Sequence, residues 1–323
     1  MKIRNTRHDS ARMASRGIAT CLLFLCLLPL ASAKDKAATP EPAAPSRVAT
    51  QKGDFQFGVS HLGKEIRVFG FRPANYAGGP LLVVFHGASR NAVGYRDGAR
   101  ELAEQLGMLL VVPEFDRKRF DVEAYQEGGV LRDGKLQPQE QWTFTYLQPM
   151  LAEVSMREGR ELPYYLVGHS AGAQFLGRMA ALYPNDARRM VLVNPGSLIF
   201  PDGKQKYPYG FGGLADSMTS DAAMQMYLSA PLTFYLGTGD VTAQYLSTGK
   251  QAMKQGPTRI ERGRNCHAAG KRLAASEGWN FSWQLVEAEG LEHGSGPMWK
   301  HANCRLAILG EPVEAPPEEQ GGR

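Results

Sequence analysis

Metal-binding patterns of cysteine and histidine are missing from this sequence. Only four cysteines occur among its 323 residues, with neither a CxxC nor an HExxH spacing, so nothing supports a zinc site. The composition, with 43% hydrophobic and 21% charged residues, is that of a globular protein and excludes a disordered, collagen-like or multi-span membrane chain. We therefore expect a folded protein that uses no metal and no cofactor.

An excess of charge of one sign is also absent from most of the chain. The net charge of +5 is concentrated at the start, because residues 1–33 contain five basic side chains and one acidic side chain. The remaining residues contain 32 basic and 31 acidic side chains. This balance gives no electrostatic reason to expect nucleic acid as a partner.

A long apolar run occurs once, at residues 18–30, between a basic stretch and the small residues 31–33. These features are typical of a secretory signal peptide cleaved before Lys34. The short run and its Pro29 argue against a transmembrane helix. The sequence therefore predicts an exported protein, periplasmic or secreted, without stable membrane insertion after cleavage. An uncleaved anchor is the alternative, and Met13 is a second candidate start.

Export also bears on Cys266 and Cys304, the two cysteines that follow the signal peptide. Two cysteines in an exported protein often pair, so we expect a disulfide bond between them. Two buried free thiols are the alternative.

Composition divides the rest of the chain into three parts. Residues 34–50 are rich in Ala, Pro and Lys and predict a disordered linker. Residues 311–323 are acidic and rich in Pro, and they predict a loose tail. Between them, residues 51–310 show no internal repeat and have a length that suits one domain.

This domain alternates apolar strand patterns with helical patterns. A hairpin is expected at its start, followed by strands at 81–85, 108–113, 164–167, 190–193, 232–236 and 281–286. Helices are expected between the strands, at 92–106, 141–157, 171–182, 258–276 and 296–308. Continuous apolar strands joined by helices predict an α/β fold, with a mostly parallel central sheet and helices on both faces. Binding and catalytic sites in such folds lie at the carboxyl ends of the strands.

A G-x-S-x-G motif, Gly168-His169-Ser170-Ala171-Gly172, follows one of these strands and precedes a helix. In this context the serine sits on a tight, strained turn, and the glycines let the strand and the helix approach each other. The helix N-terminus directs its N–H groups towards developing negative charge. Ser170 is therefore a candidate nucleophile, with an unreactive serine on a Gly-rich turn as the alternative.

At this motif the chain resembles the α/β-hydrolase family, and the resemblance covers nearly all of residues 51–310. It implies an oxyanion loop after the third strand, where His86-Gly87-Ala88-Ser89 occurs. We assign the oxyanion hole to the backbone N–H groups of Ala88 and Ala171, with Ser89 as a rival donor. His86 is expected to shape the loop rather than to take part in the chemistry.

The resemblance also implies an acid and a base later in the chain. Asp240 follows the strand at 232–236 through a glycine turn, and it is preferred as the acid, with a turn-capping role as the alternative. Four other aspartates follow no buried strand so directly: Asp186, Asp202, Asp216 and Asp221. His293, between the last strand and the last helix, is the expected base, whereas His301 lies inside the helical pattern. The order Ser170, Asp240, His293 is that of the family.

The substrate is less clearly marked. A long connection between the strands at 190–193 and 232–236 carries aromatic residues that could line an apolar pocket or simply pack the connection down. We assign four residues to substrate binding: Trp142, His169, Tyr209 and Trp299. Basic residues at positions 254–272 are expected to form a solvated helix face, with binding of an anionic polymer as the alternative.

The sequence therefore predicts an exported serine hydrolase that cleaves carboxylic esters, small or polymeric, and it predicts no particular oligomeric state. Export, the short His-Gly loop and the lack of an obvious cap domain make it similar to the polyhydroxyalkanoate-depolymerase and feruloyl-esterase-like branch of the family. A serine peptidase or amidase with the same triad is one alternative. A binding protein with an inactive site is another.

Overall fold

The computed structural model describes residues 52–310. The expected signal peptide at 1–33, linker at 34–50 and tail at 311–323 lie outside the described residues. The strands between residues 52 and 310 are β1 (Gly53–His61), β2 (Lys64–Arg72), β3 (Leu81–Phe85), β4 (Leu109–Pro113), β5 (Leu131–Arg132), β6 (Lys135–Leu136), β7 (Tyr164–His169), β8 (Arg189–Val193), β9 (Leu232–Gly237) and β10 (Gln284–Ala288).

Helices connect most of these strands. They are α1 (Ala92–Gly98), α2 (Arg100–Leu106), α3 (Val122–Tyr125), α4 (Leu147–Glu158), α5 (Ala171–Leu182), α6 (Asp216–Thr219), α7 (Asp221–Ser229), α8 (Lys250–Met253), α9 (Arg259–Glu277), α10 (Ser295–Lys300) and α11 (Asn303–Leu309). None of them is long and apolar enough to cross a lipid bilayer, a statement that covers residues 52–310 only.

The central sheet contains eight strands in the order β1-β2-β4-β3-β7-β8-β9-β10. The pairs β1–β2 and β2–β4 are antiparallel, and the five other neighbouring pairs are parallel. The two remaining strands, β5 and β6, form a separate short hairpin. The expected α/β fold with a mostly parallel sheet is therefore confirmed.

Helices cover both faces of the sheet, which explains the continuous apolar runs of its central strands. In β3, Leu81, Val83 and Phe85 point into one core, whereas Leu82 and Val84 point into a second core on the other face. Each such buried side chain contributes about 1.5–3 kcal/mol relative to an exposed one.

Several of the expected elements have different limits. The helix expected at 141–157 begins at Leu147. The helix expected at 92–106 is interrupted at Ala99, after Gly98, a residue that disfavours helix interiors. The expected last helix is likewise divided into α10 and α11. The last strand begins at Gln284 rather than 281, because the Ser282 backbone N–H donates to the Leu228 carbonyl of α7, 2.9 Å away, and not to a strand.

Candidate active site

Ser170 occupies the turn between β7 and α5, with φ 54° and ψ −107°, a conformation that residues other than glycine rarely adopt. The flanking glycines allow this turn. A Cβ atom on Gly168 would lie 2.3 Å from the Gly172 carbonyl oxygen, and one on Gly172 would lie 2.2 Å from the Phe85 carbonyl oxygen. The Ser170 N–H donates to the Val193 carbonyl at 2.9 Å and so ties the turn to β8.

Ser170, His293 and Asp240 form one hydrogen-bonded chain. The Ser170 Oγ atom lies 3.1 Å from His293 Nε2, and His293 Nδ1 lies 2.7 Å from Asp240 Oδ2. The three residues follow β7, β10 and β9, whose carboxyl ends lie at one edge of the sheet. The rival histidine, His301, lies between α10 and α11, where its Nδ1 atom accepts the Asn303 backbone N–H.

Asn194, which the sequence reasoning missed, connects the loops that carry Asp240 and His293. Its side-chain oxygen accepts the Gly237 N–H at 2.8 Å, and its side-chain nitrogen donates to the Glu292 carbonyl at 3.2 Å. Asn194 is buried and has a φ of 46°. The sequence signal was an asparagine directly after a buried strand, a residue type that tolerates this conformation.

Arg259 is a second residue that sequence reasoning missed. Its Nη1 atom donates to Asp240 Oδ1 at 3.0 Å, and the two side chains are only 2% and 1% exposed. Arg262, one turn further along α9, is also buried and donates to the Gly196 and Ser247 carbonyls. The expectation that the basic stretch is a solvated face is wrong for these two arginines, although the other basic residues of the stretch are exposed.

His169 does not present its ring to a substrate, contrary to the sequence-based assignment. The ring is 5% exposed, with Nε2 2.6 Å from the His293 carbonyl oxygen and Nδ1 2.6 Å from Tyr95 Oη. A carbonyl only accepts hydrogen bonds, so Nε2 carries the hydrogen and Nδ1 accepts the Tyr95 hydroxyl. Burial lowers the pKa of His169 to about 3, which keeps the ring neutral. His169 therefore holds the His293 loop against β7.

His86 is buried below the oxyanion loop. Its Nδ1–H donates to the Gly87 carbonyl at 3.1 Å, and its Nε2 atom accepts the Phe115 N–H at 3.0 Å. Burial lowers the pKa of His86 to about 4, so this ring is neutral as well. These bonds fix the orientation of the Gly87 peptide, in agreement with the structural role expected of His86.

The two assigned oxyanion donors belong to neighbouring backbone segments, Ala88 to the loop after β3 and Ala171 to the start of α5. The His86 ring and the Arg90 N–H both donate to the Gly87 carbonyl. The Ala88 N–H belongs to the same peptide as this carbonyl, and the two groups of a trans peptide point in opposite directions. The Ala88 N–H therefore points away from the His86 ring and from the Arg90 N–H. Ala171 is the first residue of α5, where backbone N–H groups have no partner within the helix. Gly172 brings the loop and the turn into contact.

The aromatic residues assigned to the substrate have different surroundings. Trp142 is 1% exposed and donates its Nε1–H to the Gln137 carbonyl, and Trp299 is 3% exposed. These two assignments are wrong, because a buried ring offers no face to a substrate. Tyr209 is half-buried, and its assignment stays a prediction. Around it, Leu198, Ile199, Phe200 and Phe211 are buried, so much of this connection packs into the protein.

The expected disulfide bond between Cys266 and Cys304 is contradicted. Both residues are free and buried. Cys266 on α9 belongs to the core on one face of the sheet, and Cys304 on α11 belongs to the core on the other face. The sheet separates the two thiols, and a disulfide bond needs their Cα atoms within about 7 Å. Burial raises the pKa of both thiols, that of Cys304 to about 12.

Among residues 52–310, no group of three His, Cys, Asp or Glu side chains could hold a metal ion.

A strand order of this kind, with a serine on the turn after β7, defines the α/β-hydrolase class. No protein-family model matches the sequence, and no curated protein matches it significantly. Among solved structures, a poly(aspartic acid) hydrolase from Sphingomonas sp. KT-1 is 32% identical with a TM-score of 0.74, over 80% of this chain and 99% of that one. A poly(3-hydroxybutyrate) depolymerase from Bordetella parapertussis is 28% identical with a TM-score of 0.75, over 82% and 92% of the two chains.

The chain belongs to the α/β-hydrolase family, in the branch of esterases and depolymerases. It is an enzyme, a carboxylic-ester hydrolase. The expected family and enzyme class are thereby confirmed.

Proposed function

We propose that this enzyme cleaves esters through an acyl-enzyme intermediate, with Ser170 as nucleophile, His293 as base and Asp240 as acid. The observation that carries the proposal is the chain of two hydrogen bonds, 3.1 Å and 2.7 Å long, that joins these side chains. A buried acid bonded to a histidine that faces a serine on an elbow turn is the arrangement that activates a serine hydroxyl.

The proposed reaction moves one proton back and forth through His293. His293 Nε2 accepts the hydroxyl proton as Ser170 Oγ attacks the ester carbonyl, and Asp240 stabilises the imidazolium that forms. His293 then returns the proton to the leaving alcohol. Water, deprotonated by the same ring, attacks the acyl-enzyme, releases the acid and restores Ser170.

The N–H groups of Ala88 and Ala171 are proposed to stabilise the negatively charged oxygen of the tetrahedral intermediate. The orientation of the Gly87 peptide and the position of Ala171 at the start of α5 support this assignment, and Ser89 remains the rival donor. One such donor typically contributes a factor of about 10²–10³ to kcat.

We propose a neutral polyester as the substrate, since the relative from Bordetella parapertussis is named for poly(3-hydroxybutyrate). Two ion pairs near the oxyanion loop support this choice. Arg117 donates to the Ala88 carbonyl, but in the same region Arg119 pairs with Asp116 and Arg132 pairs with Asp121. These two neutralised cations offer little attraction to a polyanion, whereas Arg117 has no acidic partner among residues 52–310.

Cleavage of amides is the second candidate function. The relative that is 32% identical is named as a hydrolase of poly(aspartic acid), an anionic polymer joined by amide bonds. Turnover of poly(aspartic acid) at a rate comparable to that of esters would favour this candidate.

Export, proposed from the signal-like residues 1–33, is tested separately by fractionating cells that produce the full chain.

The decisive experiment compares wild type with Ser170→Ala, using Ser60→Ala on the surface of β1 as the control. Substrates are a series of p-nitrophenyl esters, poly(3-hydroxybutyrate) and poly(aspartic acid), and a fluorophosphonate probe reports the reactive serine. We expect Ser170→Ala alone to lose hydrolysis and labelling, because no other group replaces the activated hydroxyl. Labelling that persists on another residue would overturn the assignment of Ser170. A wild type that hydrolyses esters but is not labelled at all would overturn the proposed serine mechanism.

A further inference from the structure

Asp240 shares its carboxylate between two partners. One oxygen accepts the Nδ1–H of His293 at 2.7 Å, and the other accepts an N–H of Arg259 at 3.0 Å. The carboxylate is 1% exposed, so water cannot screen either interaction. The negative charge that would stabilise a protonated His293 is therefore already paired with a permanent positive charge.

The position of Arg259 is fixed by the start of α9. Thr258 and Glu261 form a capping box at this N-terminus, and Arg259 is the first residue of the helix. Its remaining donors reach the Thr242 carbonyl at 3.2 Å and the Gln244 carbonyl at 2.6 Å. Both carbonyls belong to the loop that follows Asp240, so the guanidinium group is held against the acid and against the backbone next to it.

Among residues 52–310, none of the groups that contact His293 is a cation, and Arg259, bonded to the far oxygen of Asp240, is the positive charge that opposes protonation of His293. Ser170 and His169 come from the end of β7, and Asp240 comes from the end of β9. His169 is neutral because its Nδ1 atom accepts a hydrogen bond and its ring is buried. Glu292, in the same loop as His293, is exposed to solvent, where its charge is screened.

We propose that Arg259 is a positioning residue whose buried charge offsets that of Asp240, so that His293 remains neutral in more acidic solution than an isolated His–Asp pair would allow. Neutral His293 is the form that accepts the Ser170 proton, so Arg259 extends activity towards low pH. A nearby positive charge disfavours a second one, which gives the direction of the effect. This inference rests on the proposed function, because it requires His293 to be the base.

The test is the pH profile of kcat/KM for two matched variants, Arg259→Gln and Arg259→Lys. Both replacements are shorter than arginine and keep an N–H donor, but only lysine keeps the charge. Arg264→Gln is the control, since Arg264 lies on the same helix, is exposed and pairs with Glu287. An ester without ionisable groups serves as substrate, and thermal unfolding checks that each variant is folded.

We expect the acid limb of the Arg259→Gln profile to move to higher pH by about one unit, while Arg259→Lys and the control keep the wild-type limb. Equal shifts in Arg259→Gln and Arg259→Lys would mean that only the shape of arginine matters and would overturn the proposal. So would an unchanged limb in both.

Arg259→Met is the second neutral variant, in case the glutamine variant does not fold. If neither neutral variant folds, Arg259 is a purely structural residue and the proposal is wrong. Failure of the proposed function has a different signature, because Ser170→Ala would then retain hydrolysis and labelling whatever the behaviour of Arg259.

Discussion

Gly172 lies where the turn that carries Ser170 meets the loop after β3. It lies one position after Ala171, and its α-carbon faces the carbonyl groups of Phe85 and His86 at the end of β3. A side chain at this position would push apart the two backbone segments that carry the proposed oxyanion donors. Geometry at this one residue therefore matters both to packing and to the proposed chemistry.

We expect Gly172→Ala to lower the melting temperature and to reduce kcat at least tenfold. The new Cβ atom would lie 2.2 Å from the Phe85 carbonyl oxygen and 2.9 Å from the His86 carbonyl oxygen. Overpacking of this kind costs about 1–3 kcal/mol. Gly203→Ala is the matched control, because its Cβ atom would meet nothing within 4 Å. Thermal unfolding and ester turnover measure both effects, and a fully active Gly172→Ala would contradict the close approach.

His169 links two elements, the end of β7 and the loop between β10 and α10, and we expect His169→Phe to weaken that link. Phenylalanine fills a similar volume but leaves the His293 carbonyl and the Tyr95 hydroxyl without their partner. Each buried unpaired group costs about 1–3 kcal/mol. We expect kcat to fall more than tenfold with little change in KM, since His293, the proposed base, moves while the substrate surface does not. Tyr95→Phe, which removes one bond only, should have a smaller effect in the same kinetic assay.

The helices α9 and α11 lie on opposite faces of the sheet, and this placement determines the behaviour of the two cysteines. We expect Cys266 and Cys304 to react with an alkylating reagent only after denaturation, because both thiols are buried and burial raises the pKa of each. Peptide mapping by mass spectrometry, with labelling before and after addition of denaturant, measures this. A peptide in which the two cysteines are joined would contradict the packing of the two helices.

Elements that depend on local pattern were predictable from the sequence, and those that depend on distant partners were not. The limits of β3 and α5 agree with expectation, because an apolar run and a glycine-flanked serine mark them locally. The sequence did not predict that Arg259 is buried, because its partners lie in other loops and a basic residue usually indicates a solvated surface. The disulfide prediction failed for the same reason, because the sheet face on which a helix packs is a tertiary property.

At the scale of the whole molecule, two buried neutral histidines make folding sensitive to acid. Burial lowers the pKa of His86 to about 4 and that of His169 to about 3, whereas a histidine in the unfolded chain has a pKa of about 6.5. Below pH 6.5 the unfolded state therefore binds more protons than the folded state. The stabilisation from these groups is complete above that pH and is lost as the pH falls towards 4 for His86 and towards 3 for His169.

We expect the free energy of unfolding, measured by urea denaturation, to decrease between pH 6.5 and 5 with a slope that approaches about 2.7 kcal/mol per pH unit. The control is His169→Phe, in which the slope should be about half as steep because one of the two groups is gone. Stability that is independent of pH in this window would mean that both rings can bind protons in the folded state.

The hydrogen bond between Ser170 and His293 joins positions that are 123 residues apart, and this has a consequence for biosynthesis. At typical translation rates of about 5–20 residues per second, about 6–25 s pass between the addition of the serine and that of the histidine. A nascent chain would therefore carry the proposed nucleophile before the proposed base is synthesised, and during that interval it could not hydrolyse esters through this pair. Reaction with a covalent serine probe would accordingly mark only molecules whose synthesis and folding have reached β10 and the loop beyond it.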